Sequence, residues 1–349
     1  MAFWEQKISI SVPPIEMPAT LIHLVNDLLM SIFFFTAGLE IKREITTGQL
    51  NTFKRALMPI ISAAGGMFFP AIIYLVWCHG KSNYMGWGIP VATDIAFSLG
   101  VLSLLGKRTP VALKIFLTAI AIIDDIGGII TIAIFYAGQL HWTSLIIAIL
   151  IIAALIAISA VRKIRLGTYL MAGIWLWYFV YHSGIHATIA GVIMAFLIPI
   201  EYNHRLEHML RIPVNFVILP LFALANTAII LPADMIAALN SRIQYAVLTG
   251  LVIGKPAGIF IFTWLADKMK VATMPTGINR KQLLGVGIIA GIGFTVSMFI
   301  ATLAFQDRES QLVAKIGVIN ASFISGIAGY LFLRTNGKKK TRQKAGYEE

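Results

Sequence analysis

The chain has 349 residues, of which 58% are hydrophobic and only 13% charged, against about 45–50% and about 25% in soluble domains. The apolar residues run along the whole length, which makes the chain a polytopic membrane protein. Its net charge of +12 does not mark a nucleic-acid binder, because the basic residues lie in short loops and the tail, and the single Cys78 excludes an internal disulfide and any cysteine metal cluster.

The first 19 residues lack the basic start and apolar run of a signal peptide. Within them, Gln6 to Met17 alternates, with Ile8, Ile10 and Val12 on one face and a Pro13-Pro14 break. That pattern predicts a short hairpin outside the bilayer. Eleven apolar spans follow, at 20–41, 56–77, 86–105, 110–136, 140–161, 167–183, 185–199, 213–231, 243–265, 282–304 and 312–334. A helix of ~20 residues crosses the hydrocarbon core. Spans 167–183 and 185–199 are separated only by a tight turn at Ser183 and Gly184, and the second is short for a full crossing. Residues 337–349 form a basic tail.

The loops set the orientation. Alternate loops hold most of the Lys and Arg residues, among them Lys42, Arg43, Lys107, Arg108, Arg162, Lys163, Arg205, Arg211, Lys268, Lys270 and the tail. The opposite side holds only Lys7, Lys81, Arg242, Arg308 and Lys315. Positive loops stay in the cytoplasm. The expectation is therefore a cytoplasmic C-terminus and, with an odd number of spans, an external N-terminus.

Span 110–136 carries two adjacent acids near its middle, Asp124 and Asp125. A charged side chain at that depth costs roughly 2.5–3.5 kcal/mol even on the lenient insertion scale, so such residues point to function. At ~1.5 Å per helical residue, Asp125 lies about 16 Å deep, Asp94 about 12 Å and Lys255 about 18 Å. Three spans thus bring ionisable groups to the midplane. Neighbours on a helix point about 100° apart, so Asp124 and Asp125 need not share one ligand sphere. Two spans also carry helix breakers at similar depth: Pro90 before Thr93 and Asp94, and Gly291 and Gly293 before Thr295. Broken helices in corresponding places of two halves mark the ion site of a transporter. The halves would be 56–136 and 243–334, two three-helix units of opposite direction, with 20–41 and 140–231 as flanking helices.

The stretches ATDIAFSLGVLSLLG, LKIFLTAIAIIDDIGG, SGIHATIAG, LPLFALAN, LVIGKPAGI and AGIGFTVSMFIATLAF closely resemble the NhaA family of sodium/proton antiporters, from about Leu24 to Leu333. That family is itself a known case of inverted repeats, so the repeat argument agrees with it and does not predict it. The resemblance implies an all-helical antiporter of the bacterial inner membrane with two crossing broken helices. Asp125 would be the carboxylate shared by sodium and protons, with Asp94 its partner, Asp124 paired with Lys255, and Thr93 at the crossing. Glu40, Arg43, Glu44, Arg205, Glu207 and His208 fall where the family senses pH, and His186 matches a histidine linked to the pH response. Lithium is implied as a second substrate and a homodimer through the hairpin as the assembly; no cofactor is expected. Family members usually carry a helix ahead of the first span, which has no counterpart here, and the segment Glu201 to Arg211 reads as a loop shorter than theirs.

Sodium favours oxygen ligands, which Asp94, Asp125, Thr93 and unwound carbonyls supply. Burial and mutual repulsion both favour protonation of paired carboxylates, so protons compete with sodium at such a site. Asp27 either lines a funnel or caps a helix. Three other readings are weighed. An intramembrane aspartyl protease needs a lone facing dyad, which the Asp124-Asp125 pair and Lys255 oppose. A transport-inactive scaffold is disfavoured by the intact ion site. A proton-coupled transporter of organic solutes lacks recognition groups.

Overall fold

Thr20 opens the first long helix: its backbone is extended and its hydroxyl accepts the His23 N–H at 3.4 Å, leaving one fewer orphan donor at the helix start. The computed structural model describes residues 3–4, 6, 11–12, 15–16, 20–79, 82–106, 109–161, 164–227 and 239–336. In the leader, Ser11–Val12 and Ile15–Glu16 pair antiparallel, Val12 opposite Ile15. The remainder of the expected hairpin, the tail 337–349, the basic residues Lys7, Lys81, Lys107, Arg108, Arg162 and Lys163, and the end of span 213–231 lie outside the described residues.

The long helices are α1 (Leu21–Thr46) and α2 (Phe53–Trp77), then α3 (Ile95–Leu104), which a 3₁₀ run at Ser82–Val91 precedes. They continue as α4 (Val111–Phe135), α5 (Trp142–Val161), α6 (Leu166–Tyr181), α7 (Thr188–Leu197) and α8 (Ile200–Thr227). The chain ends in α9 (Arg242–Lys268), α10 (Arg280–Ala290), α11 (Phe294–Ala304) and α12 (Arg308–Asn336). Among the described residues seven helices are long and apolar enough to span a bilayer alone. The 3₁₀ run with α3, and α10 with α11, are bent pairs of 43° and 46° that each make one more. The shorter α6 and α7 occupy the two remaining predicted spans. The fold is that of an all-helical polytopic membrane protein.

Sequence chemistry explains the irregular places. The turn between α6 and α7 needs Gly184, whose φ is +84° and whose missing Cβ would otherwise press on the Gln139 backbone. A π turn at Val214–Ile218 immediately precedes Leu219-Pro220 in α8, and another at Gly250–Gly254 precedes Lys255-Pro256 in α9. Proline offers no N–H and crowds the carbonyl four residues back, and widening the preceding turn makes room for it. Asn279 and Gln282 form a capping box at the start of α10.

Three expectations change. The segment Glu201 to Arg211 is not a loop but helix, the beginning of α8 and continuous with the span behind it, with Glu201 in its first turn. Its polarity reflects a helix that runs beyond the apolar layer, not a break. Lys315 does not belong to an outer loop; it is buried within α12, 7% exposed, with its ammonium 3.3 Å from Asn226 Oδ1. Pro90 does not itself mark the break: it lies inside the 3₁₀ run, and the chain unwinds just after it, at Ala92 to Asp94.

Helices α2 and α9 run antiparallel and pack closely, Gly65 against Gly258 and Pro70 against Gly254. Ser62 and Thr263 share a hydrogen bond of 2.6 Å across the same seam. A Cβ on Gly258 would fall 2.7 Å from the Gly65 carbonyl carbon and 3.0 Å from Phe69 Cβ. Gly258→Val should therefore push the helices apart and cost about 1–3 kcal/mol, seen as a lowered Tm in detergent. An unchanged Tm would contradict backbone-on-backbone packing there.

Candidate functional site

The site forms where the two broken pairs cross. Asp94 caps α3: its Oδ1 accepts the Phe97 N–H at 3.2 Å. Its own N–H donates to the Ile292 carbonyl at 2.7 Å, in the break between α10 and α11. Asp94 Oδ2 accepts from the Thr295 N–H at 3.0 Å and from its hydroxyl at 2.5 Å. One carboxylate thus stitches the start of α3 to the start of α11. Both are helix N-termini, where positive backbone ends favour an anionic side chain.

Thr93 lies beside it, fully buried. Its hydroxyl is 2.7 Å from Asp124 Oδ2 and 3.0 Å from the Ala290 carbonyl, and its one proton serves one of them at a time. Lys255 Nζ lies 2.9 Å from the same Asp124 oxygen, both side chains shut away from solvent. The ammonium also donates to the Val91 carbonyl, at the end of the 3₁₀ run. Lys255 therefore neutralises a buried acid and satisfies a carbonyl that the break leaves without a helical partner. Asp124 Oδ1 has no hydrogen-bond partner among the described residues.

Asp125 faces elsewhere, as the helical rotation requires. With Asp94, Thr93 and Thr295 it lines the deep end of a cavity of about 380 Å³. Asp125 Oδ1 has no hydrogen-bond partner among the described residues, whereas both Asp94 oxygens are engaged. The cavity runs along α1 and α8 to a mouth formed by Glu40, Arg43, Glu207 and Arg211. There Arg43 pairs with Glu207 and, at 3.0 Å, with Glu44; Glu40 lies 3.9 Å away. Glu44 also accepts the Gln49 N–H at 2.9 Å.

The predicted residues thus divide. Asp94, Thr93, Asp124, Asp125 and Lys255 come together around the crossing, as do the breaks at Gly291 and Gly293. Glu40, Arg43, Glu44 and Glu207 gather at the mouth, while Arg205 and His208 sit exposed on α8 and do not line the cavity. His186 lies toward the opposite end, with Nε2 3.6 Å from Asp27 Oδ1, Nδ1 3.0 Å from the Thr188 hydroxyl and its ring edge-on to Phe299. Asp27 is not among the residues lining this cavity; its carboxylate faces this histidine. Thr295 was a hydroxyl beside a glycine break in the sequence, and only the crossing reveals it as an Asp94 partner. Among the described residues no group of three or more His, Cys, Asp or Glu side chains is arranged to hold a resident metal.

Residues 1–333 match the model of the family described as Na+/H+ antiporter 1. The chain is 46% identical over 342 residues to Na(+)/H(+) antiporter NhaA 1 of Klebsiella pneumoniae, covering 95% of this chain and 87% of that one. It is 45% identical over 341 residues to Na(+)/H(+) antiporter NhaA of Escherichia coli, covering 95% and 88%. It is 45% identical over 327 residues to Na(+)/H(+) antiporter NhaA 2 of Flavobacterium johnsoniae, covering 91% and 80%. These relatives and the apolar helices identify a multi-pass protein of the bacterial inner membrane. The chain belongs to the Na+/H+ antiporter family represented by NhaA.

Proposed function

We propose that this protein exchanges sodium ions, and lithium ions in their place, for protons, and that the exchange takes place on Asp125 with Asp94 beside it. The supporting observation is a cavity lined by Asp125, a buried carboxylate one of whose oxygens lacks a hydrogen-bond partner among the described residues. A buried carboxylate without a donor is costly. A proton or a sodium ion relieves that cost, and either one excludes the other. When a site of this kind opens alternately to the two sides, one gradient drives the other. The relatives are antiporters and not enzymes, and a proteolytic reading has no support in an acid pair divided between a lysine and an open cavity.

In this proposal the mouth faces the cytoplasm and the N-terminus lies outside, on the strength of loop charge. Lys255 is charged and paired with Asp124 in the empty site and releases a proton when sodium arrives, which makes the cycle electrogenic. The Arg43, Glu40, Glu44 and Glu207 cluster sets the pH response, because protonating its acids removes the attraction that holds the mouth together. Two copies join through the outer hairpin.

Purified protein in proteoliposomes should dissipate an imposed pH gradient on addition of sodium or lithium but not potassium. The rate should rise with a membrane potential of the favourable sign and vary across a pH series. A protein that inserts and stays folded, yet leaves the gradient intact at every pH tested, is a scaffold, and the proposal fails.

A further inference from the structure

The cavity that begins at the mouth reaches the crossing in the middle of the molecule, and beyond it the described residues make two sets of contacts. One layer is aromatic: Phe299 of α11 packs against Phe34 of α1 at 5.7 Å and Phe222 of α8 at 6.2 Å between ring centroids. A polar bridge lies farther from the mouth and joins α12 to the same two helices, α8 and α1. Lys315 of α12 reaches Asn226 of α8 at 3.3 Å, and the Asn226 amide donates to Asn26 of α1 at 2.8 Å. A second bond, at 3.1 Å, holds that amide to the Phe222 carbonyl, one turn nearer the aromatic layer. Asn26 sits 14 residues from Glu40 along α1 and Asn226 sits 15 residues from Arg211 along α8. The bridge is therefore about 20 Å from the mouth.

Burying a lysine is costly, and satisfying it with an amide oxygen is an unusual expense inside a membrane helix. The position identifies a return. Lys315 belongs to the second three-helix unit, whereas Asn26 and Asn226 belong to the flanking helices. We infer that Lys315, held through Asn226 to Asn26, latches the end of the ion path remote from the mouth, and that this latch must part before the site can open there. The inference rests on the alternating-access reading above. Its readout is sidedness and not transport, so the two can fail separately.

The test uses the full chain in membrane vesicles of both orientations, with Cys78→Ser removing the native thiol and Val296→Cys, at the deep cavity wall, as reporter. A charged, membrane-impermeant methanethiosulfonate is applied from each side. Without Lys315→Met or Asn226→Ala the reporter should label from the mouth side. Each of those two changes should raise labelling from the remote side about ten-fold relative to the mouth side, the effect of losing a hydrogen bond to a charged group. An unchanged ratio in both folded variants overturns the latch. A shift with Lys315→Met but none with Asn226→Ala overturns the bridge and leaves a pure charge effect. If Lys315→Met does not accumulate, Asn226→Ala alone decides.

Discussion

Asp125→Asn is expected to abolish sodium-dependent proton movement while leaving the protein folded. Asparagine keeps the size of the side chain but cannot exchange a proton for a cation. Little else in the structure depends on this carboxylate: its Oδ1 has no hydrogen-bond partner among the described residues and it faces the cavity. Asp94→Asn should behave differently. Asp94 holds two helix starts through Phe97 and Thr295, and an asparagine oxygen still accepts some of those bonds. Losing the charge while keeping the framework should weaken sodium by about ten- to a hundred-fold, read as a raised KM in proteoliposomes. Gradient dissipation by Asp125→Asn at more than a tenth of the parental rate would remove Asp125 from the centre of the chemistry. A larger loss of Tm for Asp125→Asn than for Asp94→Asn would show that the two carboxylates have been assigned the wrong way round.

The second large effect concerns Lys255. Its pairing with Asp124 is fully buried, so removing one partner leaves an uncompensated charge in a dry interior, a loss of about 3–5 kcal/mol. Lys255→Met should therefore lower the Tm in detergent sharply, and Asp124→Asn should do the same. Combining them should restore most of the stability, because the double variant has no stranded charge. Additive losses would show that the two groups do not act as a pair. The same double variant also examines the proposed coupling. If Lys255 carries a transported proton, exchange by the double variant should lose its sensitivity to membrane potential. If the potential still drives it as strongly as the parent, the lysine is a strut.

Much of this was legible in the sequence for a reason peculiar to bilayers. Lipid demands long apolar runs, so any acid or lysine within one is conspicuous. Depth could be counted from the ends because helices rise uniformly. That count alone brings Asp94, Asp125 and Lys255 to one level. What escaped it depends on direction around a helix or on partners far apart in the chain. Asp27 and His186 are separated by most of the N-terminal half, and neither lies in a pattern pointing to the other. Lys315 escapes the sequence because a lysine near the end of a span normally reaches for water, whereas here an asparagine on another helix receives it. The stretch from Glu201 reads as a loop because hydropathy measures contact with lipid and not helical structure. Pro90 signalled a break correctly in kind, but the 3₁₀ run absorbed the proline and displaced the unwinding to the residues after it.

The continuity of α8 has a mechanical consequence. Glu207, at the mouth, and Asn226, at the remote bridge, belong to one unbroken rod and stand about 28 Å apart along it. The widened turn at Val214–Ile218 lies between them. Tilting such a lever about that fulcrum would carry its two ends in opposite directions, so under the proposed latch a swing that frees the tip at the mouth would tighten the remote one with no separate messenger.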